Sequence, residues 1–401
     1  MSTPTGYKQT EIGLIPEDWE VKKVEEIASI TTGGRDTQDR VEHGTYPFYV
    51  RSNTVESINS YSFDGEAVLT SGDGVGVGKI FHYVNGKFDF HQRVYCIYNF
   101  IETVSGEYFN YFFATHFYAR VMSMTAKSSV DSVRREMISE MAIPLPPTLE
   151  EQQAIAIVLR DTDALIDSLS ALLAKKQALK TAAMQQLLTP PAQGGKRLPG
   201  FDGEWKELSL SALTNQIIDG THYTPTYVQN GVPFLRVTDI QRKEISKRNL
   251  KRIPKAEHDL LIKRCFPQRG DILLSKNGSV GIPKVIDWDW EFSIFVSLAL
   301  IKLKRDKVDE YFIYHIFNSR VIEKQIKERS KQGTVTNLHL EEIREFDIPL
   351  PPTLEEQEAI AKVLSDMDEE IAALETKKQK YQQVKQGLMQ ELLTGKTRLP
   401  H

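Results

Sequence analysis

Two stretches of the chain carry the same amphipathic period. Val158, Leu165, Leu172 and Leu179 recur every seven residues, as do Ile360, Met367, Leu374, Tyr381 and Leu388, and Leu159, Ile166, Ile371 and Val384 widen the stripes. Apolar positions at this spacing predict helices that pack along their length. No proline interrupts either stretch before Thr189 or Thr394, so each helix should run about 40 residues, or about 60 Å at 1.5 Å per residue. Their starts are marked as well. Thr148 and Thr353 each follow a Pro-Pro pair and precede Glu151 or Glu356 by three residues, the pattern of a capping box.

The two stretches are copies. Residues 143–159 (IPLPPTLEEQQAIAIVL) return as residues 348–364 (IPLPPTLEEQEAIAKVL), 205 positions later, with differences at Gln153/Glu358 and Ile157/Lys362. Leu187-Leu188-Thr189 returns as Leu392-Leu393-Thr394 at the same offset, and Trp19 has a counterpart in Trp205. Near-identical helices of this length most economically pack on each other as an antiparallel two-stranded coiled coil with pseudo-twofold symmetry, with Thr162 and Lys176 as polar seam positions that specify register. The four segments read from this pattern are residues 1–142, 143–192, 193–347 and 348–401. The first and third are variable bodies, and the second and fourth are proline joints followed by helices.

Within the bodies, GEAVLTSGDGVGVGK (65–79) aligns with GDILLSKNGSVGIPK (270–284), and Tyr46-Pro47-Phe48 with Val232-Pro233-Phe234. The bodies therefore share a mixed α/β fold and differ in surface. Aromatic runs at helical spacing, Tyr108 to Phe113 and Tyr311 to Phe317, read as core.

Composition narrows the class. No run of eighteen apolar residues occurs and the opening MSTPTGYKQT is polar, which predicts a soluble, cytoplasmic protein with no membrane association. Cys96 and Cys265 stand alone in different halves, as buried structural cysteines do, and no metal site is expected. The formal net charge is −4, unevenly spread. Residues 219–347 hold 23 Lys and Arg against 18 Asp and Glu, whereas residues 33–142 hold 10 against 13. A duplex-binding role tolerates that asymmetry.

Catalytic motifs are missing. Gly72, Gly74, Gly76, Gly78 and Lys79 imitate a phosphate-binding loop, but the spacing is one residue too long and Ile80 replaces the magnesium-holding Ser or Thr. The second copy loses most of these glycines, which suits a turn between strands. No amino-methyltransferase Asn/Asp-Pro-Pro-Tyr/Phe sequence, GxSxG or HExxH occurs. No catalytic residue is expected.

The duplicated PLPPTLEEQxAIAxVL blocks, with the opening GYKQTEIGLIPEDWEV, the segments VPFLRVTDIQ and GDILLSKNGSVG, and KQGTVTNLHLEEIREFDIPLPP, make the chain similar to the specificity (S) subunits of type I restriction-modification systems. The resemblance spans essentially the whole sequence. It implies an α+β chain in which two target recognition domains, each reading one half of a bipartite, asymmetric double-stranded DNA target, are separated by the helix pair. It further implies two modification (methyltransferase) subunits docked on the helices and two restriction (motor/nuclease) subunits. S-adenosylmethionine, ATP and magnesium would belong to those partners. The competing reading is a coiled-coil scaffold that bridges two enzymes without touching DNA.

Base reading calls for Arg, Lys, Asn, Gln, Ser or Thr on groove-facing loops. The candidates in the first body are Arg51, Ser52, Asn53, Lys79, Gln92, Arg93, Lys127, Ser128 and Ser129. Those in the second are Arg236, Thr238, Gln241, Lys276, Asn277, Lys284, Lys331, Gln332, Thr334 and Asn337.

Overall fold

The computed structural model describes residues 4–124, 132–242, 245–329 and 337–399. The chain divides into two compact units, residues 1–170 with 376–401, and residues 171–375. Each unit holds one variable body and a portion of both long helices.

The first unit opens with a hairpin, β1 (Tyr7–Thr10) and β2 (Gly13–Pro16), followed by β3 (Glu20–Lys23) and the single turn α1 (Val24–Ile27). A six-stranded sheet follows, made of β4 (Ser29–Thr32), β5 (Tyr46–Tyr49), β6 (Glu56–Ile58), β7 (Phe63–Ser71), β8 (Phe81–Phe90) and β9 (Val94–Tyr98), in the order β4-β9-β7-β8-β5-β6. Only β5 and β8 pair in parallel. Helix α2 (Gly106–Ser123) buries Tyr108, Phe109, Phe112, Phe113 and Phe117, as their helical spacing predicts. Ser105 caps it by accepting from Tyr108 N. The short α3 (Arg135–Ser139) leads to β10 (Ala142–Leu145), which pairs with β3, and then to α4 (Leu149–Leu187).

The second unit repeats this plan. Strand β11 (Lys206–Ser209) pairs with β19 (Asp347–Leu350) as β3 does with β10. Strands β12 (Thr214–Asp219), β13 (Val232–Leu235), β14 (Lys251–Ile253), β15 (Ile272–Ser275), β16 (Pro283–Val285), β17 (Ser293–Ile294) and β18 (Leu298–Leu303) form two sheets, β12-β18-β15-β16 and β14-β13-β17. That is the order of the first unit with one break. The continuous β8 is matched by β16 and β17, and residues 286–292 separate them. The helices are α5 (Val237–Ile240), α6 (Lys255–Leu261), α7 (Glu310–Phe317), α8 (Arg320–Arg329), α9 (Leu340–Arg344) and α10 (Leu354–Leu392).

Both long helices form, at 39 residues each. The N-cap threonines accept from Glu151 N (3.2 Å) and Glu356 N (3.3 Å). The glutamate carboxylates are buried and bind arginines: Glu151 takes Arg398, and Glu356 takes Arg197 (2.7 Å) and Trp205 Nε1 (3.2 Å). Within each unit the helices run antiparallel. Asp163 meets Lys385 in the first, and in the second Lys176 meets Glu370 (2.6 Å) and Lys180 meets Asp368.

The seam of α10 is the expected one: Ile360 is buried, and Met367, Leu374, Tyr381 and Leu388 are half-buried. That of α4 is not. Leu165, Leu172 and Leu179 are 36%, 38% and 47% exposed, and Val384 of α10 is exposed as well. Along the rest of α4 the buried or half-buried positions include Ile155, Thr162, Leu169, Lys176 and Ala183, interleaved with Leu159, Ile166, Leu173, Lys180 and Leu187. This is the α10 register moved by the 205-residue repeat. Three residues of α-helix turn the chain through about 300°, so the leucine stripe lies about 60° around the helix from the seam. Thr162, Lys176 and Lys180 make the true seam look polar, while the flanking face looks like a coiled-coil core.

Candidate nucleic-acid interface

In both units one set of backbone hydrogen bonds gathers loops that are distant in sequence. In the first, His91 N donates to Tyr49 O (2.9 Å), Gln92 N to Arg35 O (2.8 Å), Gly72 N to Arg93 O (2.8 Å) and Val133 N to Gly72 O (2.7 Å). In the second, Phe295 N donates to Leu235 O (3.0 Å), Val296 N to Thr221 O (3.0 Å), Lys276 N to Ser297 O (2.9 Å) and Leu338 N to Lys276 O (2.7 Å). The clasp is the same and the side chains around it differ.

Around the first clasp, Asp73 is the organising group. Arg51 Nη1 lies 2.8 Å from its Oδ1 and Arg93 Nη1 3.3 Å from its Oδ2, so two guanidinium groups share one carboxylate and the cluster keeps a net positive charge. Gln92 donates to Asp36 Oδ2 (3.1 Å), and the Ser52 carbonyl contacts His82 Nε2 (3.1 Å). Burial lowers the His82 pKa, which its bond to Ser52 partly offsets. Arg51, Ser52, Gln92 and Arg93 are thus brought together, and Asn53 is exposed beside Ser52. Lys79 stands at the far end of the 72–80 loop, with Nζ 5.0 Å from the Tyr118 ring centre. That loop joins β7 to β8 as a turn, with Gly74 and Gly78 at φ of 79° and 66°, where a side chain would be strained.

The second clasp is built on Asp219, 3% exposed. Its carboxylate is bonded to Lys276 Nζ (3.0 Å), Arg264 Nη2 (2.7 Å) and His222 Nε2 (3.1 Å). Burial pushes the Asp219 pKa up, but the bonds from Lys276, His222 and Arg264 together outweigh it and hold the carboxyl below its ordinary value. Lys276 is only 7% exposed, so the expectation that it reaches DNA is corrected: its ammonium neutralises a buried carboxylate. Arg264 and His222 present their free edges to solvent instead, and Arg264 Nη1 also donates to Gly220 O (3.1 Å).

The remaining candidates divide. Arg236 caps α5, with its N–H and Nε donating to Asp239 Oδ2 (2.9 and 3.2 Å), and Thr238 and Gln241 are exposed beside it. Asn277 forms a backbone bridge with Asn337, as Asp73 does with Ser132. Lys284 is not in a loop; it lies half-buried within β16, in register with Leu273. Lys127, Ser128, Ser129, Lys331, Gln332 and Thr334 fall outside the described residues. Sequence reasoning missed Asp73, Asp219, His222 and Arg264. For Asp219 a signal existed, an Asp-Gly pair ending a strand; for Arg264 there was none. Cys96 and Cys265 are buried, and burial pushes both thiols up to about 12.

Comparison with known proteins agrees with this duplicated arrangement. The type I restriction modification DNA specificity domain is matched twice, over residues 16–178 and 214–386. The putative type I restriction enzyme MjaX specificity subunit of Methanocaldococcus jannaschii is 27% identical, covering 98% of this chain and 97% of its own. The MjaVIII specificity subunit of the same organism is 25% identical, covering 96% and 94%. Among solved structures, the S subunit of a type I restriction-modification system from M. genitalium superposes with a TM-score of 0.68 at 15% identity, covering 93% of this chain and 96% of that one. The chain thus belongs to the type I restriction-modification DNA specificity family, and carries that family's domain twice.

Proposed function

We propose that the chain is the non-catalytic reader of a type I restriction-modification complex, each body recognising one half of a bipartite DNA target. The observation that carries this is the repeated clasp, which holds different polar side chains in the two units. Arg51, Gln92 and Arg93 surround the first, and Arg236, His222 and Arg264 the second. Arginine forks and amide side chains are the groups that discriminate guanine and adenine in the major groove. Two identical clasps with unlike side chains suit an asymmetric target.

The helix pair sets the spacer between the half-sites. At 39 residues, a helix spans about 58 Å, enough to place two readers on successive turns of one duplex face, about 34 Å apart. The exposed leucine stripe of α4 supports the second part of the proposal, that modification subunits dock along the helices. Leu165, Leu172 and Leu179 repeat at heptad spacing with no partner in the seam, and such an apolar line is a protein interaction surface. S-adenosylmethionine belongs to those modification subunits, and ATP and magnesium chemistry to two restriction (motor/nuclease) subunits. The test is selection of duplexes from a random library by the chain bound to its modification subunits, over a salt series. Recovery of a two-part motif with salt-dependent affinity supports the reading, whereas absence of sequence enrichment contradicts it.

A further inference from the structure

The two bodies differ where β13 turns into β14. In the first unit residues 50–55 suffice to join β5 to β6; in the second, residues 236–250 join β13 to β14. The longer segment leaves from Leu235, whose carbonyl belongs to the clasp, and returns at Lys251, in register with Phe234. It therefore springs from the candidate reading face. Its one carboxylate among the described residues, Asp239, is buried and paired with Arg236 (3.2 Å) and Arg242 (3.7 Å).

Two arginines brace the segment. Arg242 Nη1 donates to Asn249 O (3.4 Å), while Arg252 donates to Gly231 O (3.0 Å) and Lys247 O (3.2 Å). Three cations are left over. Lys247, Arg248 and Lys251 are exposed and have no carboxylate partner among the described residues; Lys247 lies over Trp290 (5.2 Å) and Lys251 over Tyr227 (5.5 Å). The shorter counterpart in the first unit contains one basic residue, Arg51, already bonded to Asp73.

We infer that Lys247, Arg248 and Lys251 form a phosphate clamp peculiar to the second body, which grips the sugar-phosphate backbone of duplex DNA without regard to sequence. The inference rests on the DNA-reading role proposed above and adds to it that the two halves hold DNA unequally. Braced, unpaired cations beside a reading face suit phosphate contacts, which position a protein on the duplex and carry no sequence information. The clamp supplies three of the cations behind the excess of basic residues in the second body.

The test uses the full chain and a random-sequence 30-base-pair duplex, with affinity followed by fluorescence anisotropy over a salt series. Each lost phosphate contact lowers the log–log salt slope by about 0.9, so K247A/R248A/K251A should flatten it by about 2.7. A first-unit variant, R40A/K87A, should leave the slope within about 0.5 of the parent's, less than one contact. An unchanged slope in the triple variant, equal flattening in the first-unit control, or no measurable binding by the parent chain would each overturn the clamp. The selection experiment fails independently: sequence enrichment with no slope loss removes the clamp and keeps the reading, and slope loss with no enrichment does the reverse.

Discussion

Replacing Lys276 with alanine separates support of the reading face from contact with DNA. Its ammonium lies 3.0 Å from Asp219 Oδ2, with both side chains more than nine-tenths buried. At that separation the attraction is about 5 kcal/mol for an effective dielectric near 20, and desolvating each ion costs several kcal/mol. The intact pair is therefore worth little net, but a broken one is expensive. Asp219→Ala leaves the Lys276 ammonium buried with no second carboxylate in salt-bridge range among the described residues, and should cost about 3–5 kcal/mol. Lys276→Ala should cost less, about 2–3 kcal/mol, because Arg264 and His222 still face the carboxylate. Replacing both with Leu and Met should recover most of the loss. Urea unfolding followed by tryptophan fluorescence suits the measurement, since three of the four tryptophans (Trp205, Trp288 and Trp290) lie in the second unit. A Lys276→Ala variant with an unchanged unfolding midpoint and a duplex affinity lowered tenfold or more would refute this role. Lys276 would then act on DNA directly.

Other expectations use the same geometry. Changing Leu165, Leu172 and Leu179 together to Glu should move stability by less than about 1.5 kcal/mol yet abolish co-purification of the modification subunits; retained binding would remove the stripe from the docking face. Inserting seven residues after Leu172 and seven after Lys377 preserves the paired register and lengthens the strut by about 10 Å, so methylated sites should gain about 3 base pairs of spacer; methylation at the old spacing contradicts the ruler. His315 is fully buried, with Nε2 bonded to Ser365 Oγ (3.0 Å), and burial first, then the nearby Lys180, lowers its pKa to about 4. Its unfolded value is near 6.5, so the stability it contributes is complete above that pH and falls by about 3 kcal/mol as the pH drops from about 6.5 to 4. Unfolding midpoints of the parent and of His315→Gln at pH 7 and pH 4.5 should diverge in that direction, and parallel loss in both refutes it.

The fold was legible wherever local pattern and repeat agreed. The helices, their caps, their antiparallel pairing and the aromatic core of α2 all follow from short-range spacing and from duplication. The α4 seam was misread because heptad leucines mark a stripe without saying which side meets the partner. Carrying Ile360, Met367 and Leu374 back by 205 residues gives Ile155, Thr162 and Leu169, the seam found. Around the candidate site the loops could be anticipated from turn chemistry, and four of the first body's residues, Arg51, Ser52, Gln92 and Arg93, lie around one clasp. Burial could not be anticipated. Whether Lys276 faces solvent depends on Asp219, on another strand and 57 positions earlier, and Arg264 joins the same carboxylate from beyond α6. No window of sequence contains that triad.

The most direct test of the account is single-molecule mapping of adenine methylation in host genomes with and without this gene. Two separable sequence elements at a constant gap, lost together on deletion and altered in one element alone by R51A/R93A, are what two unlike readers on one strut predict. A single contiguous motif, or simultaneous change of both elements by that variant, would contradict it.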